Sequence, residues 1–257
     1  MSLTPDLRTA KKIGFIVPSS NVAVEAITSA ILASLNANII PIFTRIRVLT
    51  VGTDATSLSQ FSPDVFTSAA QLLADAECSA ILWNGTSGMF MGHDLEADRA
   101  LAKAMGDTAG GIPCSTTTLA TVAALEHLSI RDVSIAVPYT PELTEKVNQF
   151  FSGEEFKVHA AVRMDKTPAP NREIAKCTED EIESVIRKAA VPEAKAILVT
   201  CTNWPATGLV QRLEDDLDLT VVDSIGVTLW EGLRMIGYTG KREDLRQWGR
   251  LFTSLAQ

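Results

Sequence analysis

Short apolar runs rich in β-branched residues alternate with longer amphipathic stretches from one end of the chain to the other, the pattern of βαβ units around a mainly parallel sheet. The runs predict strands at 13–17, 39–48, 80–83, 133–137, 156–162, 194–200 and 219–222. They are continuously hydrophobic rather than alternating, which predicts strands buried on both faces. Helical spacing of apolar positions predicts helices at 22–35, 63–76, 95–105, 119–128, 142–151, 179–190, 207–216 and 228–236, with a terminal helix at 242–255. The fold class is α/β.

The chain also resembles itself. Val17-Pro18 closes the first strand ahead of a helix containing Glu25, and Val137-Pro138 closes a later one ahead of a helix beginning near Glu142. Ala80-Ile81-Leu82-Trp83-Asn84-Gly85-Thr86 is answered by Ala196-Ile197-Leu198-Val199-Thr200-Cys201-Thr202. Both landmarks recur in the same order after roughly 120 residues, the mark of an internal duplication. The expected architecture is two similar Rossmann-like lobes, each a mainly parallel sheet flanked by helices and related by a pseudo-twofold. Residues 1–115 with a C-terminal helix at 238–257 are assigned to the first lobe, and 116–237 to the second.

Composition narrows the partners. Of 257 residues, 46% are hydrophobic and 21% charged, enough apolar material for a sizeable core and too much for disorder. With 31 acidic against 23 basic side chains and a net charge of −8, phosphate backbones and anionic lipid are repelled. Nucleic acid and membrane are therefore not expected partners, whereas self-association into a homo-oligomer is compatible with the sequence. No stretch sustains the ~20 apolar residues of a membrane span, and the N-terminal residues lack the apolar core of a signal peptide, so a cytoplasmic protein is expected.

Candidate chemistry gathers where strands end. In open parallel sheets, ligands bind at the carboxyl ends of strands. The segments there are Val17-Pro18-Ser19-Ser20-Asn21, Asn84-Gly85-Thr86-Ser87-Gly88, Val137-Pro138-Tyr139-Thr140-Pro141 and Thr200-Cys201-Thr202-Asn203. They are rich in hydroxyls and amides and contain no Lys, Arg, Asp, Glu or His. Such a site would hold a small carboxylate by neutral donors and dipoles, as an oxyanion hole does. Ser19, Ser20, Asn21, Thr140 and Thr202 also read as plain helix caps. Tyr139 reads equally as a packing residue or a ligand contact. Trp83, Phe90, Met91 and Trp204 read as core, with a pocket for a bulky group as the alternative.

Of the four cysteines, Cys78, Cys114 and Cys177 read as small buried hydrophobes, while Cys201 closes an apolar strand and opens a polar loop, where thiol chemistry and packing both fit. No pair has CxxC spacing. His93, His127 and His159 lie far apart and are assigned no chemistry. Phosphate-loop, nucleophile-elbow, HExxH and GxGxxG signatures are missing, so no metal, nucleotide or organic cofactor is expected.

Taken together, the four strand-end segments resemble the arylmalonate decarboxylase and maleate isomerase branch of the aspartate/glutamate racemase superfamily, over nearly the whole chain and in the expected order. The resemblance implies a site between two lobes and cofactor-independent chemistry at a carbon next to a carboxylate. Racemases and maleate isomerases of this superfamily present one cysteine from each lobe. Here the second-lobe position is Cys201 and the first-lobe position, by resemblance and by the internal repeat, is Gly85. A glycine facing a single cysteine is similar to the decarboxylases.

The resemblance implies Cys201 as catalytic acid, and Pro18, Asn21, Gly85, Thr86, Ser87, Tyr139, Asn171 and Thr202 as substrate-binding residues. Thr86, Ser87, Tyr139 and the backbone around Cys201 and Thr202 would stabilise an enediolate left by loss of CO2. Gly85→Cys would then supply an opposed second thiol and racemising activity on a 2-aryl acid. Two alternatives stand beside this reading. One is a maleate-type isomerase with Cys201 as covalent nucleophile, for which Asn21, Tyr139 and Asn171 match dicarboxylate-binding positions. The other is a small-acid binding or sensor protein without catalysis.

Overall fold

A computed structural model of the chain describes residues 5–50, 52, 54–91, 94–168 and 170–256. His93 and the first four residues of the N-terminal segment lie outside them. The first half runs β1 (Lys11–Pro18), α1 (Val24–Ser34), β2 (Ile39–Ile46), α2 (Ala55–Ser59), α3 (Pro63–Asp75), β3 (Ala80–Trp83), α4 (Leu95–Thr108) and β4 (Cys114–Thr116). The second runs α5 (Thr117–His127), β5 (Asp132–Val137), α6 (Pro141–Gly153), β6 (Lys157–Arg163), α7 (Glu179–Ala189), β7 (Ala196–Val199), α8 (Val210–Leu217), β8 (Thr220–Asp223) and α9 (Ser224–Met235). Two short helices, α10 (Arg242–Arg246) and α11 (Arg250–Thr253), follow.

Each half forms a four-stranded parallel sheet, in the orders β2-β1-β3-β4 and β6-β5-β7-β8. The duplication is thus expressed as the same strand order twice. Strands β3, β7 and β8 are wholly buried, whereas the edge strands β2 and β6 are partly exposed. That is the burial expected where helices cover both faces of a parallel sheet. One apolar core runs through both halves, and a second lies on the outer face of the first sheet around Ile16, Ile81, Trp83, Phe66, Leu73 and Met105. Helices α5 and α9, each following the last strand of its half, pack on one another, with the Thr117 and Thr228 hydroxyls 2.8 Å apart.

Three expectations are corrected. Strand β4 was not predicted, because Cys114-Ser115-Thr116 is short and polar; it is defined by parallel pairing with Ile81, Leu82 and Trp83. Helix α9 begins at Ser224, ahead of the predicted 228, because the Asp223 carboxylate accepts the Gly226 N–H at 2.9 Å and caps it. The predicted single terminal helix is broken at Gly249, whose φ of 102° favours glycine and whose hypothetical Cβ would lie 2.5 Å from Val210. The C-terminal segment touches both halves. Arg250 donates its backbone N–H to the buried Glu214 carboxylate at 2.6 Å, and Arg246 also pairs with Glu214, while the Trp248 indole N–H donates to Ser34 of α1 at 2.8 Å. Among the described residues no helix is long and apolar enough to cross a membrane.

Asp223 gives the fold a pH dependence. Burial pushes its carboxyl up from 3.8 to about 6, against hydrogen bonds from Thr207 Oγ1 (2.6 Å) and the Gly226 N–H. A pKa raised on folding means the folded state favours the protonated form. Its contribution is full below the ordinary value and is lost as pH rises through about 6. The stability of Asp223→Asn relative to the native chain is therefore expected to shift in the variant's favour, by on the order of 3 kcal/mol, between about pH 3.5 and 8. Urea denaturation across that range measures it, and an unchanged difference would remove Asp223 as the titrating group.

Candidate active site

In a parallel sheet of order 2-1-3-4, the strand order switches direction between β1 and β3: one connection leaves toward β2 and the other toward β4, opening a crevice at the carboxyl ends. The second sheet opens the same crevice between β5 and β7. The four strand-end segments are the loops of these two crevices, and they meet. One cleft is lined by Pro18, Asn21, Gly85, Thr86, Ser87, Tyr139, Asn171, Cys201 and Thr202, which are all nine residues singled out from sequence. It is also lined by Val48, Phe61, Trp83, Phe90 and Asn203. The cavity volume is about 30 Å³.

The polar side of the cleft is a hydrogen-bond network of neutral groups. Tyr139 Oη and Thr86 Oγ1 lie 2.8 Å apart, bridging the two halves. Trp83 Nε1 donates to Ser87 Oγ at 3.2 Å, which leaves the Ser87 hydroxyl proton available to a ligand. Gly85 donates its N–H to Thr117 Oγ1 at 3.1 Å, so the first turn of α5 fixes the end of β3.

A second set of bonds closes the cleft. Asn21 Nδ2 donates to the Thr202 carbonyl (3.0 Å) and Oγ1 (3.2 Å), while its Oδ1 caps α1 by accepting from Ala23 and Val24. Asn203 accepts from the Val22 N–H at 3.0 Å and donates to the Asn171 carbonyl at 2.7 Å. Asn171 Nδ2 donates to Ser20 Oγ at 2.8 Å. Asn21 is thus both a cap and a clasp between halves, with both amide protons taken by Thr202, while Asn171 commits one of its two. Thr140 is a cap for α6, with its Oγ1 accepting from Leu143, and does not line the cleft.

Cys201 is 3% exposed and is the only cysteine lining the cleft among the described residues. Burial pushes its thiol from 9.0 to about 11, partly offset by the Asn203 and Trp204 backbone N–H groups and the Tyr139 hydroxyl. Tyr139, also 3% exposed, is pushed well above 10.0 by burial and by the neighbouring Cys201, with the Thr86 hydrogen bond acting the other way. These two are the only titratable side chains lining the cleft among the described residues, so a bound acid would meet neutral groups. The remaining three cysteines are free and lie elsewhere; Cys78 packs beneath Gly14, whose hypothetical Cβ would be 3.1 Å from its sulfur. His159 hydrogen-bonds Asp132 at 2.8 Å, and His127 packs on Trp230. Among the described residues no group of three His, Cys, Asp or Glu side chains could hold a metal ion.

The apolar side was read from sequence only in part, with Trp83 and Phe90 given as pocket-lining in the alternative to core. Val48, Phe61, Trp83 and Phe90 form it, with Trp83 edge-on to Phe66 (5.0 Å, 77°) and Phe61 (6.4 Å, 64°), and Phe90 edge-on to Tyr139 (5.8 Å, 74°). Trp83 and Phe90, read as core, are both buried and cleft-lining; Met91 and Trp204 do not line it. Phe61 comes from the connection between β2 and β3 and carried no sequence signal. Gly85→Cys would require the indole to move: a Cβ at position 85 would lie 2.2, 2.5 and 2.8 Å from three atoms of the Trp83 indole.

Comparison with known proteins places these features in a family context. The family model described as arylmalonate decarboxylase matches residues 13–252. The chain is 22% identical to the maleate isomerase of Geobacillus stearothermophilus, over 88% of this chain and 91% of that protein. It is 27% identical to the arylmalonate decarboxylase of Bordetella bronchiseptica, over 60% of this chain and 62% of that one. In fold it is similar to a cysteine-to-serine variant of the Nocardia farcinica maleate cis-trans isomerase with a covalently bound succinylcysteine intermediate. There the TM-score is 0.82 at 22% identity, covering 95% of this chain and 99% of that one.

Proposed function

The chain belongs to the arylmalonate decarboxylase family, and from that premise we propose that it removes CO2 from a malonate-like acid in the cleft between the two sheets. The observation that carries the reading is Cys201: a buried thiol with a pKa near 11, alone in a cleft whose facing position is Gly85. At pH 8 only about one such thiol in a thousand is ionised, so it is a proton donor rather than a standing nucleophile.

One carboxylate of the substrate rests on the hydroxyls of Thr86, Ser87 and Tyr139 and the backbone N–H groups beyond Cys201. The other faces Val48, Phe61, Trp83 and Phe90, where an ionised group is poorly solvated and leaves readily as neutral CO2. The C–C bond breaks, its electron pair remains on the substrate as an enediolate, and the same hydroxyls hold the developing charge. The Cys201 S–H then gives its proton to the α-carbon from one face, and the thiolate regains a proton from water. Covalent cis–trans isomerisation fits less well. The Asn21 amide, which a dicarboxylate would need, already donates both protons to Thr202, and a thiol held this far toward its protonated form is a poor nucleophile.

The test is a panel of malonates and maleate in D2O, followed by CO2 detection and NMR. CO2 release with one deuterium placed stereospecifically is expected. Fumarate without CO2 would overturn the reading in favour of isomerisation, and binding of a small carboxylate with no turnover of any substrate would overturn it in favour of a sensor.

A further inference from the structure

Position 85 is glycine for a reason outside its own backbone. Gly85 is not among the residues with positive φ, so any L-residue could adopt its conformation. What excludes a side chain is Trp83: on a strand, residues i and i+2 share a face, and the indole lies across the place where a Cβ at 85 would stand, 2.2 Å away at the closest atom. The duplicated half carries the reverse arrangement. There Val199 stands where Trp83 does and Cys201 where Gly85 does, a small residue followed by a functional side chain in place of a large one followed by none.

The indole is held by edge-on packing on Phe61 and Phe66 and by its N–H to Ser87, so it is a fixed wall. Resting on the decarboxylase reading above, we propose that Trp83 is the specificity-determining residue of the cleft. It occupies the first-lobe side-chain position opposite Cys201 and limits the α-substituent of the malonate to a small group, excluding an aryl ring. An aryl group on that side would have to displace the indole, which the two edge-on rings and the Ser87 bond hold in place.

The experiment separates this proposal from the reaction by using ligands that do not react. Propionate and phenylacetate binding is measured by calorimetry on the native chain, Trp83→Ala and Trp83→Leu, the leucine variant keeping an apolar wall should the alanine variant fold poorly. The native chain is expected to prefer propionate, and both variants to shift the ratio toward phenylacetate by about ten-fold or more. An unchanged ratio, or a native preference for phenylacetate, overturns the proposal whatever the reaction turns out to be. If instead the ratio shifts but no malonate is decarboxylated, the size limit stands and the decarboxylase reading fails. A double-mutant cycle on thermal stability supplies the steric half: Gly85→Cys is expected to cost much less Tm in the Trp83→Ala background than in the native one. Equal losses in both backgrounds would overturn it.

Discussion

Cys201→Ala is expected to lower kcat/KM for decarboxylation by about 10²–10⁴-fold, the usual worth of a positioned general acid. The loss should be large because the cleft offers no substitute: its other titratable side chain, Tyr139, is hydrogen-bonded to Thr86 and holds its proton more tightly than a free phenol. Binding of a non-reacting carboxylate should survive, since the hydroxyls and backbone donors remain. The pH profile of the native chain discriminates further. An acid with a pKa of about 11 is fully protonated at neutral pH, so Cys201 imposes no slope there, and the rate falls only as pH climbs toward that value. A thiolate nucleophile in the same place would give the opposite limb, a rate rising about ten-fold per pH unit until the thiol is ionised. Retention of full turnover in the alanine variant, or a rising alkaline limb, would take the central role away from this thiol.

What sequence could supply was the frame of the site. Continuous apolar runs marked central strands, and the strand at 80–83 was placed to the residue, because turn-forming positions bound it on both sides. Strand-end segments converged because parallel sheets of order 2-1-3-4 bring loops after the first and third strands to one crevice, a rule of topology rather than of local propensity. Strand β4 escaped because three polar residues acquire strand character only from their partner, and the break at Gly249 because a positive φ leaves no periodic trace. The apolar wall divides in two. Phe61 arrives on a crossover whose path depends on packing and was not inferable. Trp83 was: alternation along a strand puts positions 83 and 85 on one face, and a tryptophan two residues before a glycine at a ligand-binding turn is a sterically meaningful pair. The helix caps show why residue type alone misleads, since Asn21 satisfies the first N–H groups of α1 and at the same time ties the halves together through Thr202.

Tyr139→Phe is the sharpest probe of charge stabilisation, because it deletes one oxygen and keeps the ring that packs edge-on against Phe90. The variant is expected to lose about 10²–10³-fold in kcat, the effect of removing one donor from an oxyanion site, with KM changing far less. The asymmetry follows from where charge sits. In the bound acid the carboxylate is already shared among several donors; after CO2 leaves, the enediolate gathers more charge on the same oxygens and draws more from each donor. Tyr139 also moderates the acid, since its hydroxyl lowers the Cys201 thiol against the burial that raises it. Without that hydroxyl the thiol should hold its proton more tightly, moving the alkaline limb of the profile to higher pH. The structural cost is small by comparison: Thr86 loses a buried partner worth about 1 kcal/mol, which denaturant titration can measure separately. A rise in KM with kcat intact would instead make Tyr139 a ground-state anchor. The enediolate would then have to be held by Thr86, Ser87 and the backbone alone.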